Sequence, residues 1–174
     1  MSLVATSNGI EVCPGCGLGL PFSDGPTHAY IGASASCWSV YTEVLSREYQ
    51  DLRYARVHQL TSDSYPAQHP GNPERRSIQS VAVHLIGLYL MIERGEDTRR
   101  ADPRPQIALT AARHFHWLTP PASTGAVTVD YVLSAADPDE HCSRVREWSR
   151  SVWSAWSDHH EVIRRWARLA GLGS

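Results

Sequence analysis

The chain has no lysine: all sixteen of its basic residues are arginine. That bias reflects first a GC-rich genome and only secondarily a need for planar, forked donors. Eighteen acidic residues leave a formal net charge of -2 and a pI near 6.5, so no overall basic field attracts nucleic acid or an anionic membrane. No stretch approaches the roughly 18 to 20 consecutive apolar residues of a membrane helix. The first 30 residues also lack a basic start followed by an apolar core and a cleavage site. These absences lead to the expectation of a cytoplasmic protein with no membrane partner. Internal repeats and low-complexity blocks are missing as well, and strand signals are sparse. At 174 residues the chain can bury about two thirds of its unfolded surface. One domain is expected over residues 1–174, with a zinc-binding segment at 12–37 and a helical body at 38–170.

Cysteine is scarce, and its placement is the most informative feature present. Three of the four cysteines fall in the first quarter with one histidine, as Cys13-x2-Cys16-x11-His28-x8-Cys37. Cys13 and Cys16 stand in Cys-Pro-Gly-Cys-Gly, where proline and glycine bend the backbone so that two sulfurs can face one ion. Zinc takes four such ligands, and a closed tetrahedral site is structural rather than catalytic. Cys13, Cys16, His28 and Cys37 are the expected ligands, with His69 as the substitute for His28 because it too lies in a loop able to fold back. Cys142 is left over as a free thiol on a helix.

The rest of the chain reads as helix. Ser34 or Ser36 can cap a helix carrying Cys37, Trp38, Tyr41, Val44, Leu45 and Glu48 at helical spacing, which puts Cys37 in a first turn where the dipole favours a thiolate. A second helix is predicted from Asp51 to about Tyr65, with Tyr54, His58, Thr61 and Tyr65 on one stripe and Pro66 ending it. Ser77 to Arg94 is apolar on all sides and should be the central buried helix. Shorter helices are expected around Pro105 to His114 and after Thr128. Asp137-Pro138-Asp139-Glu140 starts a last helix reaching about Leu169, with His141, Val145, Trp148, Val152, His159, Ile163 and Trp166 on one face. The expected fold class is all-α: a bundle of about four main helices with an N-terminal zinc-knuckle hairpin.

Histidine is plentiful. His84 lies mid-helix among apolar neighbours, where an unmet hydrogen bond costs about 1 to 3 kcal/mol, so something must meet it. His58, His141 and His159 fall on inward stripes, but His141 and His159 are about 27 Å apart along a helix and cannot share one metal. Asp63 near His58, followed by Gln68-His69-Pro70-Gly71, could orient an imidazole for acid–base work or metal ligation. A pocket lined by His58, Asp63, His69, His84 and His159 is therefore the candidate catalytic site, and a second metal there is a further expectation. The six tryptophans read as core rather than a cofactor box.

The motifs together resemble an uncharacterised bacterial domain family of unknown function. They are Cys-Pro-Gly-Cys-Gly, Gly25-Pro26-Thr27-His28-Ala29-Tyr30-Ile31-Gly32-Ala33-Ser34 with Cys37-Trp38, Gln68-His69-Pro70-Gly71, Gln79-Ser80-Val81-Ala82-Val83-His84-Leu85, Trp117-Leu118-Thr119-Pro120-Pro121 and Val152-Trp153-Ser154-Ala155-Trp156-Ser157-Asp158-His159-His160. The resemblance implies no activity. A looser analogy is to small helical bundles that hold a catalytic metal with three histidines, although the histidine spacing here does not match them.

Two functions are expected from these readings. The first is a zinc-stabilised enzyme or binder acting on a small-molecule substrate by proton transfer, in an elimination, isomerisation or cyclisation. The second is a non-catalytic zinc module that binds a protein partner. Nucleic acid ranks third.

Overall fold

Glycine and proline punctuate the opening of the chain, and only a short hairpin forms there before helix takes over. In this computed structural model, which describes residues 9–99 and 102–173, strand β1 (Ile10–Val12) pairs antiparallel with β2 (Gly19–Pro21). Ile10 lies opposite Pro21 and Val12 opposite Gly19. The Cys-Pro-Gly-Cys-Gly turn joins them, and Gly17, at a φ of +77°, donates its N–H to the Cys13 carbonyl at 2.9 Å. That backbone conformation is one glycine adopts without penalty.

Eight α-helices follow among the described residues: α1 (Ala35–Gln50), α2 (Leu52–Ala55), α3 (His58–Gln68), α4 (Arg75–Ile92), α5 (Arg104–Thr110), α6 (Val129–Leu133), α7 (Pro138–Ala155) and α8 (His160–Leu169). The chain is thus mostly helical, with one two-stranded sheet. Ser34 caps α1 by accepting the Cys37 N–H at 3.2 Å, and Asp137 caps α7 by accepting from Asp139 and Glu140. Helix α4 is buried on nearly every side, as its composition predicts. It packs against α3 and α8, while α3 also packs against α7 and α1 against α6. Within the described residues no helix is long and apolar enough to cross a membrane.

Two predicted helices are interrupted. The span from Asp51 to Tyr65 breaks at Arg56 and Val57 into α2 and α3, and α3 runs through Pro66 to Gln68. The long C-terminal helix ends at Ala155, gives way to a 3-10 turn at Ser157–His159 and resumes as α8. An unbroken helix there would extend about 48 Å. The bend instead lets α7 lie on α3 and α8 return over α4, with Trp156 buried at the corner and its Nε1–H donating to the Ala67 carbonyl at 3.0 Å. The expected loose lead-in of residues 1–12 is strand from Ile10 onward. Its first eight residues, and residues 100–101 of the predicted linker, lie outside the described residues.

Tryptophan supplies much of the core. Trp148, Trp156 and Trp166 are fully buried. Trp148 donates Nε1–H to Gln68 Oε1 at 2.9 Å, and the Gln68 amide donates to the Val127 carbonyl at 2.8 Å. The end of α3 is thereby clamped from α7 and from the segment before α6, which fixes the residue that follows it, His69.

Candidate functional site

The proline in α3 is where the candidate metal site begins. His69 ends the helix with its N–H bonded to the Pro66 carbonyl at 3.2 Å, so the Tyr65 carbonyl is left for another donor. The His69 side chain supplies it, with Nδ1 at 2.7 Å from the Tyr65 oxygen. That bond places the proton on Nδ1 and leaves Nε2 as a lone-pair donor facing the cysteines. Cys37 Sγ is 3.4 Å from His69 Nε2 and 3.8 Å from Cys16 Sγ. The donor atoms of Cys13, Cys16, Cys37 and His69 all lie within 4.8 Å of one another.

These separations suit a shared ion. Four ligands around zinc at about 2.3 Å for sulfur and 2.0 Å for nitrogen would stand about 3.8 Å apart as sulfur pairs and about 3.5 Å apart as sulfur and nitrogen. A disulfide would need about 2.05 Å, and all four cysteines are free thiols. Hydrogen bonds to Cys13 from Cys16 and Cys37 hold its thiol far below the ordinary range. Cys16 is pushed up to about 12, and Cys37 is raised further, in each case chiefly by its hydrogen bond with Cys13. A dication held among the three sulfurs is what would let all of them ionise.

The surroundings orient this quartet. The Ser34 N–H points at Cys13 Sγ at 3.5 Å, and the Tyr65 hydroxyl donates to Cys37 Sγ at 3.4 Å. Tyr65 in turn stacks on Tyr41 with ring centroids 3.8 Å apart. Gly15, inside the knuckle, has no room for a side chain, because a Cβ there would meet His69 at 2.5 Å and the Gly32 carbonyl at 2.6 Å. The knuckle, the loop around Gly32 and the end of α3 close on one another through this contact.

His28 is not a member of the quartet, which corrects the expected ligand set. It packs edge-on to Tyr30 and beside Trp38, with centroids 4.3 and 5.3 Å away, while its substitute His69 takes the fourth place. The spacing could not separate the two. What decides between them is the α3 clamp, which delivers His69 to Cys37.

Over residues 11–157 the chain matches a family of unknown function (DUF5946). It belongs to that family. No curated protein and no solved structure matches it. The DUF5946 match spans the quartet, the Glu48 site and the Asp63–His84 pair, and it ends before His159.

The histidines expected to line one pocket are distributed over four places. His69 belongs to the cluster with Cys13, Cys16 and Cys37. His58 donates from α3 to Glu48, its Nδ1 lying 2.7 Å from Oε2. Glu48 Oε1 accepts from Thr61 at 2.6 Å and from His141 Nε2 at 3.0 Å, so one fully buried carboxylate ties α1, α3 and α7 together. His159 sits in the turn between α7 and α8 near the surface, bonded to the Thr119 carbonyl at 2.8 Å. No second cluster of three metal-ligating groups occurs among the described residues.

The fourth place joins two of the candidates. His84 Nδ1 is 2.7 Å from Asp63 Oδ1, and Asp63, only 1% exposed, also accepts from the Gln59 amide at 3.1 Å. Asp63 therefore meets the mid-helix histidine across the α3–α4 contact, in place of a position beside His58. Gly87, one turn beyond His84, makes the approach possible. An alanine there would set its Cβ 2.3 Å from Asp63 Oδ2. Despite a gain of about 1 kcal/mol in helix propensity, Gly87→Ala is expected to destabilise the protein by about 2 kcal/mol through overpacking, read as a lower urea midpoint. An unchanged or higher midpoint would show that α3 and α4 are not so closely apposed.

His84 keeps 17% of its side chain exposed, and that edge borders a surface cleft of about 450 Å³. Sequence reasoning missed Glu48, Gln59, Gly87 and the two cleft arginines, Arg76 and Arg104. A glutamate at the end of an apolar stripe and a glycine inside the most apolar helix were the available signals for two of them.

Proposed function

We propose that this DUF5946 member is a small enzyme whose Asp63–His84 pair transfers a proton to or from a small molecule bound in the adjoining cleft. The Cys13–Cys16–Cys37–His69 centre holds structural zinc, which staples the N-terminal hairpin to a bundle formed chiefly by α1, α3, α4 and α7. The single observation that carries the catalytic reading is the 2.7 Å bond from His84 Nδ1 to the buried Asp63 carboxylate. Asp63 fixes the ring and keeps the Nδ1 proton in place, so Nε2 is the basic nitrogen left on the cleft side. No hydrogen bond from the protein occupies that nitrogen among the described residues. A carboxylate so placed also stabilises the imidazolium formed when Nε2 takes up a proton. The chemistry that follows is removal of a proton next to a carbonyl or leaving group and its return elsewhere, as in an elimination or isomerisation.

The test is turnover of a fractionated small-molecule extract by zinc-loaded protein, followed by mass spectrometry and by deuterium incorporation from heavy water. One component should change with the wild type and change about 10²- to 10⁴-fold more slowly with His84→Gln, the range of a general base. Asp63→Asn should fall between the two. If the wild type alters no component, or if His84→Gln alters it at the same rate, the reading is wrong.

A second reading has its own observation. Ile10 and Val12 are exposed on the outer face of the hairpin, with Pro21 across from Ile10. A zinc module that docks a protein through this face would use those residues and leave the cleft idle. In that case the wild type would change no component of the extract.

A further inference from the structure

The cleft beside His84 carries a charge pattern the general-base reading does not require. Its walls include Tyr30, Arg76, Gln79, Ser80, His84 and Arg104, so two guanidinium groups and, among the described residues, no carboxylate line it. Arg76, Ser80 and His84 follow one another at four-residue steps on one face of α4, spanning about 12 Å along the axis. Arg104 enters from the first position of α5 on the other side. Its Nε and Nη2 are bound by Asp102 at 2.8 and 2.9 Å, which holds the guanidinium plane fixed and leaves Nη1 outside the pair. Arg76 has no ion-pair partner among the described residues.

We propose that this cleft binds a small organic oxyanion, a carboxylate or a phosphate ester. Arg104 and Arg76 grip its charged end, Gln79 and Ser80 supply further donors, and its reactive carbon is carried to His84. The inference rests on the proton-transfer reading of His84 and names the substrate class for it. A pre-positioned guanidinium loses little freedom on engaging an oxyanion, and it offers the planar donor geometry that carboxylate and phosphate share. The volume lies toward the lower end of the range for small-molecule sites, which fits a metabolite-sized anion. An anion seated there would also complete the electrostatics of catalysis, because the same arginines would steady negative charge that grows on the substrate as His84 removes a proton.

The experiment is an NMR titration of the intact zinc-loaded protein with two probes, malonate for the carboxylate source and inorganic phosphate for the other. The ring resonances of His84 report on the cleft. Either probe should shift them saturably, and the probe that binds more tightly identifies the source. Arg76→Gln, a change at an exposed side chain, should weaken binding about 5-fold or more, and Arg104→Gln should weaken it further, with each fold checked by circular dichroism. His84→Gln, followed on the Ser80 and Gln79 amides, should retain binding. No saturable shift with either probe, or binding unaffected by both arginine changes, would overturn the proposal. The two readings separate cleanly: anion binding with no turnover in the extract assay removes the catalysis and keeps the anion site. Turnover of a neutral or cationic compound does the reverse.

Discussion

Removing the proposed zinc is expected to be among the most damaging treatments of this protein. Chelation, or Cys13→Ser, should lower the melting temperature by about 10 °C or more, because a ligand present at a thousand times its dissociation constant contributes about 4 kcal/mol to the folded state and each kcal/mol moves a domain of this size by about 2 to 4 °C. The loss should be local in origin. The hairpin and the loop to Ser34 contain little regular structure beyond β1 and β2, and besides the contacts to Cys37 and His69 they are held by scattered hydrogen bonds such as Ser77 to the Tyr30 carbonyl and Thr124 to the Gly15 carbonyl. Amide exchange should therefore rise across residues 9–34 while α4, buried on nearly every side, keeps its protection. Metal analysis supplies the sharper comparison. His69→Ala should lose the ion as completely as Cys13→Ser, and His28→Ala should retain full stoichiometry. Acidification should weaken binding, because the thiols must lose protons to ligate. An ion lost with His28 and kept without His69 would refute the site as drawn.

Much of this centre was legible in the sequence, and the reason is local. A Cys-x2-Cys turn with glycine and proline carries its own geometry, and Ser34 or Ser36 just before Cys37 marks a helix start, with the structure placing the cap at Ser34. The ambiguity lay in the fourth ligand, which depends on a contact across 32 residues between Cys37 and His69. Periodicity found the inward stripes and the buried character of α4. It could not find the interruptions at Val57 and Trp156, because both arise from how helices fit against one another. It also brought too many histidines to one place. An inward stripe says that a side chain is buried, and does not say against which neighbour. His58, His84 and His141 are indeed met by carboxylates, Glu48 for the first and last and Asp63 for the second. Of the residues expected in a single pocket, His58 and His84 fall in two separate carboxylate–imidazole sites, and only the one at His84 borders the cleft.

The closed site makes the second large prediction. Glu48 is fully buried, yet its carboxyl is held below the usual carboxylate range. Burial pushes it upward, and the hydrogen bonds from His141, His58 and Thr61 together outweigh that effect. Glu48→Ala would remove the acceptor for all three groups at once. His141 is already fully buried with no partner for its Nδ1, so the variant would strand both of its ring nitrogens. Breaking a buried charged network in this way is expected to cost about 3 to 5 kcal/mol, measured as the loss of unfolding free energy in urea. Thr61→Val, which removes one donor of the three, should cost about 1 kcal/mol. The pH dependence follows from the direction of the shift. A carboxyl lower in the folded than in the unfolded state contributes stability that is complete above its unfolded value, near pH 4.3. That contribution disappears as the pH falls through the folded value. The difference between wild type and Glu48→Gln should accordingly be level around neutrality and shrink on acidification below about pH 4.5. A difference that grew toward low pH would mean that the glutamate is protonated in the folded protein. The knot between α1, α3 and α7 would then be held by a neutral acid in place of a carboxylate.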